Sequence, residues 1–260
     1  MSLLKLENLS GGYDPIQIFS DINLTIAPSE SIGFFGPNGH GKSTLMKTIS
    51  GVLAPWTGNV IFDGERLNRA GDRGSRKWRN FNYDVVTRRR MDPKKVARAG
   101  LIHVPEGNLL FPEMTVEETL SVAPVAANGR GDAAARLEQV YSLFPRLTER
   151  LNSKIRYLSG GERQMVAISV GLMADPKLMI LDEPTLGLSP KLRTELCRAV
   201  GAIKASGVPL VLIDQDVTFL TELIDRLYLF DHGHISKTLE KTEIPSHEDL
   251  MTMLFGDHAA

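Results

Sequence analysis

A chain of 260 residues can bury a substantial core, as one large domain or two small ones. Thirty Lys and Arg stand against 31 Asp and Glu, a formal net charge of −1 that gives no global reason to expect a nucleic-acid partner. One cysteine, Cys197 in an apolar helical stripe, excludes a disulfide scaffold, and no apolar run approaches the roughly 18 residues of a membrane span.

The chain opens on Leu3-Leu4-Lys5-Leu6-Glu7, whose alternation predicts a strand over 3–9 rather than a secretory leader, and with it a cytoplasmic location. A strand over 31–35 runs into Gly36-Pro37-Asn38-Gly39-His40-Gly41-Lys42-Ser43-Thr44, and a helix follows over 43–49. The loop fits G-x-x-x-x-G-K-[ST], a phosphate cradle. Glycines let backbone N–H groups reach anionic oxygens, and the helix N-terminus adds partial positive charge. In such a cradle Lys42 serves the β- and γ-phosphates and the Ser43 hydroxyl is a Mg2+ ligand. Gly36, Asn38, Gly39, Gly41, Lys42, Ser43 and Thr44 are therefore the candidate ATP-binding residues. His40 occupies a variable position of the pattern and reads as a bystander.

Between 66 and 98, twelve Lys or Arg meet three Asp, a local charge of +9 that leaves −10 for the remainder. The stretch is either a solvated face or an arm that docks on an acidic protein or anionic lipid, with Trp78, Phe81 and Tyr83 as anchors and Arg88, Arg89 and Arg90 at its most basic point. A strand over 101–104 then leads to Pro105-Glu106-Gly107, after which helices over 115–122 and 132–144 appear without a strand. Leu158-Ser159-Gly160-Gly161-Glu162-Arg163-Gln164 precedes a further helix over 161–174. Ser159 and Glu162 have capping-box spacing, and a Gly-flanked Ser at a helix start can also bind a γ-phosphate presented by another subunit.

The apolar run Lys177-Leu178-Met179-Ile180-Leu181 ends in Asp182-Glu183, as a buried parallel strand does when it presents acids at its carboxyl end. Beside a phosphate cradle Asp182 would hold Mg2+ while Glu183 orients and deprotonates water; alone, the pair reads equally as the start of a turn. A helix over 191–205 and strands over 208–213 and 227–230 complete an α/β alternation that argues for a largely parallel sheet. Residues 1–105 and 165–260 are assigned to this core, and 106–164 to an inserted helical subdomain.

The order of the three motifs resembles the nucleotide-binding subunits of ATP-binding-cassette (ABC) transporters, and the resemblance covers nearly the whole chain. It implies a P-loop, RecA-like ATPase sheet domain with a helical insertion, and a head-to-tail pair in which Ser159, Gly160, Gly161 and Glu162 of one subunit meet ATP held by the other. Tyr13, after Gly11-Gly12, resembles the aromatic that stacks on adenine, although its position alone fits packing as well. Leu186-Gly187-Leu188-Ser189 sits where the family's loop crosses to the partner, with Ser189 in place of the usual acid. Glu106 stands where the family has a Mg2+-reaching glutamine, and Gln215 where it has a switch histidine. Both substitutions, with Phe111-Pro112-Glu113-Met114-Thr115-Val116-Glu117-Glu118, resemble the ATPase subunits of branched-chain or hydrophobic amino-acid importers. Ionised Glu106 can ligate a metal but not donate to phosphate; Gln215 can donate but takes up no proton near neutral pH. Apart from the family, they read as a solvated loop acid and a polar strand cap.

The resemblance thus implies catalytic Glu183 and Gln215, and Mg2+ on Ser43, Asp182 and Glu106. The implied partners are permease subunits, a second ATPase subunit and, indirectly, a solute-binding protein. A non-transport ABC ATPase acting on nucleic acid or ribosomes is the alternative. The single cassette, the near-zero charge and the absence of a long heptad run stand against it.

Overall fold

In the computed structural model, which describes residues 2–68, 76–78, 81–83, 91–107, 109–126 and 132–255, the chain begins with two long antiparallel strands, β1 (Leu4–Tyr13) and β2 (Ile16–Ile26). Strand β3 (Ile32–Phe35) and helix α1 (Lys42–Ile49) flank the phosphate-loop sequence. β4 (Thr57–Phe62) and β5 (Glu65–Arg66) then return to the first strands, giving an antiparallel sheet ordered β2-β1-β4-β5. This sheet is absent from the sequence reading, which ends the first strand at residue 9. In β2 the buried residues are Phe19, Ile22, Leu24 and Ile26, and the three-residue step at Asp21, φ 52, breaks the period of two.

Strands β6 (Arg76–Trp78) and β7 (Phe81–Tyr83) pair antiparallel within the basic stretch; Arg88, Arg89 and Arg90, on which the docking-arm reading rests, lie outside the described residues. Helix α2 (Pro93–Ala99) is capped by Asp92, whose carboxylate accepts from Lys94 N–H, and leads into β8 (Leu101–Val104). The helical region follows as α3 (Val116–Ala126), α4 (Ala133–Leu143), the single turn α5 (Pro145–Thr148) and α6 (Gly160–Met173). β9 (Leu178–Asp182), α7 (Pro190–Ala205), β10 (Leu210–Ile213), α8 (Val217–Leu223), β11 (Arg226–Asp231), β12 (His234–Glu240) and α9 (His247–Phe255) complete the chain.

The second sheet runs β12-β11-β3-β10-β9-β8, parallel except for the edge strand β12. Its central strands are buried on both faces, and alternate residues enter two separate cores. Met179, Leu181, Leu210, Leu212, Leu227 and Leu229 face the helical side with α3, α4, α6, α7 and α8. Leu178, Ile180, Val211, Ile213, Tyr228 and Phe230 face the antiparallel sheet, α1 and α2. The carboxyl ends of β3 and β9 therefore meet at one edge, with β10 between them. No helix among the described residues is long and apolar enough to cross a membrane.

Candidate active site

The loop leaving β3 is shaped by close backbone approach. A Cβ on Gly36 would stand 2.0 Å from the Phe230 carbonyl oxygen, so this glycine is required for packing against β11. Gly41, at φ 105, opens α1, and a Cβ there would meet Ile18 of β2 at 2.7 Å. Lys42 is buried, and its Nζ donates to the carbonyls of Gly36 (2.6 Å) and Pro37 (2.8 Å), leaving one ammonium hydrogen for an anion. Burial pulls its pKa below the ordinary lysine value, opposed by the charges of Glu183 and Asp182.

β9 brings the two acids to this loop. Asp182 Oδ1 accepts from the Ser43 hydroxyl at 3.0 Å, while Oδ2 is buried without a hydrogen-bond partner. Burial is the main cause that lifts Asp182 to about 6; the Ser43 bond opposes it, and the charges of Glu183 and Glu106 reinforce it. Glu183 has φ 48, a left-handed backbone that a side chain of this size rarely adopts, held where its N–H donates to Ile213 O at 2.8 Å. Burial also raises the Glu183 pKa, against a hydrogen bond from Gln215 Nε2 to Glu183 Oε2 of 3.0 Å. One N–H of the Gln215 amide is thus given to Glu183, and the second remains for another acceptor in the cleft.

Asn38, Gly39, Gly41, Lys42, Ser43, Thr44, Glu106, Glu183 and Gln215 line one cleft of about 350 Å³, together with Leu186. Residues up to 177 positions apart in sequence, from Asn38 to Gln215, are brought together there. Gly36, Tyr13 and Asp182 are not among the lining residues; Asp182 reaches the cleft through its bond with Ser43. Tyr13 is 46% exposed at the tip of the β1–β2 hairpin, the same hairpin that sets Ile18 against Gly41. His40 points away from the cleft to Asp231.

Ser159, Gly160, Gly161 and Glu162 lie outside this cleft, at the start of α6. A complete capping box forms: Ser159 Oγ accepts from Glu162 N–H at 3.2 Å and Glu162 Oε2 from Ser159 N–H at 2.8 Å. Burial works to raise the Glu162 pKa, but the bonds from Ser159 and the Arg150 guanidinium, 3.1 Å away, outweigh it and hold the carboxyl below its ordinary value. Gly160 is open, with nothing within 4 Å of a Cβ position, whereas one on Gly161 would strike Leu192 at 2.6 Å. Ser189 caps α7, so the hydroxyl fills the N-terminal role that an acid could otherwise take there.

One organising residue has no role in the sequence reading. Asp214 is buried and accepts from Thr185 N–H (3.1 Å), Thr185 Oγ1 (2.7 Å) and Asp216 N–H (2.9 Å). It fixes the turn after Glu183 to the residue before Gln215. The only signal in the sequence is a carboxylate directly after an apolar strand.

The family model for ABC transporters matches residues 19–186. The high-affinity branched-chain amino acid transport ATP-binding protein BraG of Pseudomonas aeruginosa is 31% identical over 233 residues, covering 90% of this chain and 91% of BraG. The lipopolysaccharide export system ATP-binding protein LptB of Escherichia coli is 26% identical, covering 99% and 98%. A solved ATP-binding subunit of an ABC transporter superposes with a TM-score of 0.78 at 27% identity, over 97% of this chain and 99% of that one. The strand-borne phosphate loop, the paired acids and the capped signature helix thus sit in a chain that belongs to the ABC transporter family, as an ATP-binding subunit.

Proposed function

We propose that this subunit hydrolyses ATP to drive import of branched-chain or related amino acids, as a head-to-tail pair with an identical or paralogous ATPase subunit on the cytoplasmic face of a membrane. The Gln215–Glu183 bond beside Lys42 carries the catalytic part of this reading. One carboxylate oxygen is occupied by Gln215, so the other is left to accept a proton from water, and burial raises its basicity. Loop N–H groups and Lys42 bind the phosphates, while the left-handed backbone of Glu183 aims its carboxylate into the cleft.

Glu183 and Glu106 line the cleft beside a single ammonium already shared by two carbonyls, and Asp182, joined to the cleft through Ser43, keeps Oδ2 buried without a partner. An all-oxygen set of this kind fits Mg2+, with Ser43 and Asp182 as holders and Glu106 reaching in. When bound, Mg2+ would neutralise charge on the β- and γ-phosphates.

Ser159 accepts from its own helix, which leaves its hydroxyl hydrogen for a γ-phosphate presented by the partner subunit, beside the open Gly160 and the close-packed Gly161. Residues 106–164 would act as the helical subdomain between the core segments 1–105 and 165–260. Leu109 and Phe111, 80% and 67% exposed, offer apolar contacts to permease subunits, which a solute-binding protein would supply. The similarity to BraG supports import, and that to LptB names the alternative cargo class.

Glu183→Gln tests the chemistry. ATPase rate should fall by about 10²–10⁴ while ATP binding by equilibrium dialysis survives, whereas Lys42→Ala should lose binding as well. Equal rates for wild type and Glu183→Gln would remove Glu183 as the base. Reconstitution with its permease, followed by uptake of labelled leucine, decides the cargo.

A further inference from the structure

Outside the nucleotide cleft, the phosphate loop and the turn between β11 and β12 place two imidazoles and a carboxylate in contact. His40 Nδ1 lies 2.9 Å and His232 Nδ1 2.8 Å from the same oxygen, Asp231 Oδ1, and the rings stand 4.3 Å apart. One ligand atom from each of the three residues falls within 4.8 Å of the others. We propose that His40, Asp231 and His232 bind a late first-row divalent cation, Zn2+ in the first instance, which clamps the phosphate loop to the β11–β12 turn.

Three observations support this. First, His40 Nδ1 faces both the Asp231 carboxylate and the His232 backbone N–H, at 3.2 Å. A protonated Nδ1 donates to the carboxylate and confronts the N–H; a bare one accepts from the N–H and confronts the carboxylate. A cation between ring and carboxylate takes the Nδ1 lone pair and the negative oxygen together, and the His232 N–H, which lies at the surface, passes to water. Second, backbone bonds hold the site in register: Gly233 N–H donates to His40 O at 3.1 Å, and Ser20 N–H to Gly233 O at 3.1 Å. Third, the His40 and Asp231 side chains are 22% and 33% exposed while His232 is 80% exposed, which encloses one side and leaves the other open for water ligands.

Two nitrogens and one oxygen select zinc and its neighbours over Mg2+ or Ca2+, which favour all-oxygen sets. Small side-chain rotations would bring the donors to the roughly 2.0–2.2 Å that Zn2+ requires. His40 lies between two glycines of the cradle, so the bound ion would stiffen the loop from its outer side. The site stands whether or not hydrolysis proceeds through Glu183.

Isothermal titration of untagged, chelator-stripped protein with Zn2+ tests it, using wild type, His40→Ala and His232→Asn. Asparagine is chosen because His232 has φ 43, which Asn tolerates, and its amide is a poor zinc ligand. Circular dichroism checks that each variant keeps its fold. Wild type should bind one Zn2+ per chain, each variant at least about tenfold more weakly, a loss of the order seen when zinc sites are disturbed. Co2+ should give the visible spectrum of a tetrahedral site in wild type alone, and Zn2+ should slow amide exchange over residues 38–44 in wild type alone. No Zn2+ uptake by wild type up to millimolar ion, or equal affinity in all three proteins, would overturn the proposal, the latter by placing the ion on other histidines.

Discussion

Asp214→Asn probes what holds the turn that follows Glu183, the proposed base. The buried carboxylate accepts three hydrogen bonds, two at Oδ1 and one at Oδ2, and asparagine has a single acceptor oxygen. With that oxygen in the Oδ1 position, the Thr185 hydroxyl and Asp216 N–H stay paired, while the new NH2 confronts the Thr185 N–H. In the flipped amide the Thr185 hydroxyl turns to accept from the NH2 and Asp216 N–H loses its acceptor, so either orientation leaves one N–H unpaired. A buried N–H left without a partner costs about 1–3 kcal/mol. Burial already raises the Asp214 pKa, so removing the charge recovers part of that, and a net loss of about 1–2 kcal/mol is expected. For a chain of this size the thermal midpoint should fall by about 2–8 °C. Thr185 lies two residues beyond Glu183, and a displacement of this proposed base approaching 1 Å would lower kcat about 10²-fold. Calorimetry of nucleotide-free protein reads the first effect and steady-state ATPase the second, with KM for ATP unchanged because the phosphate loop is untouched. An unaltered midpoint with unaltered kcat would refute the reasoning, and a raised KM at constant kcat would move Asp214 from positioning the base to binding.

Burial, with a smaller push from Lys47, holds His103 neutral down to about 4, against an ordinary value near 6.5. The folded state therefore takes up fewer protons than the unfolded chain below pH 6.5, and stability present above that pH is lost towards pH 4, by roughly 3 kcal/mol. His103→Gln should flatten this part of the pH–stability curve in urea titrations, and an identical slope would discard the assignment. In a Glu183→Gln background ATP should drive pairing visible by light scattering, and Ser159→Arg should block it; pairing that persists in the double variant would exclude Ser159 from the interface. Gln215→His should add an inflection near pH 6.5 to the pH–rate profile, and superimposable profiles would take Gln215 out of the site.

Strands β3, β8 and β9 were legible because short, continuously apolar runs between turn signals have few other readings. β10 starts at Leu210 rather than Val208, since Pro209 has no N–H for the ladder. β2 was hidden by its change of phase at Asp21, and β12 by its edge position, where Leu239 alone is buried. For α2 the signals were present, with Asp92-Pro93 at the start and Gly100 at the end, but the basic composition around them masked the pattern. The phosphate loop and its acids were readable because each is local in sequence. The Gln215–Glu183 and His40–Asp231 contacts span 32 and 191 residues, and only the sheet order brings them together.

The division of each central strand between two cores bears on how such a chain can change over generations. Met179 and Leu181 touch one layer and Leu178 and Ile180 the other, so substitutions on one face leave the packing of the opposite layer largely undisturbed. On the proposed docking of the helical layer to a permease, that layer can be remodelled for a new membrane partner while the layer under the phosphate loop is inherited intact. Chimaeras that exchange residues 106–158 together with the helix-facing residues of β9 and β10 should accordingly accept a foreign permease and keep their ATPase.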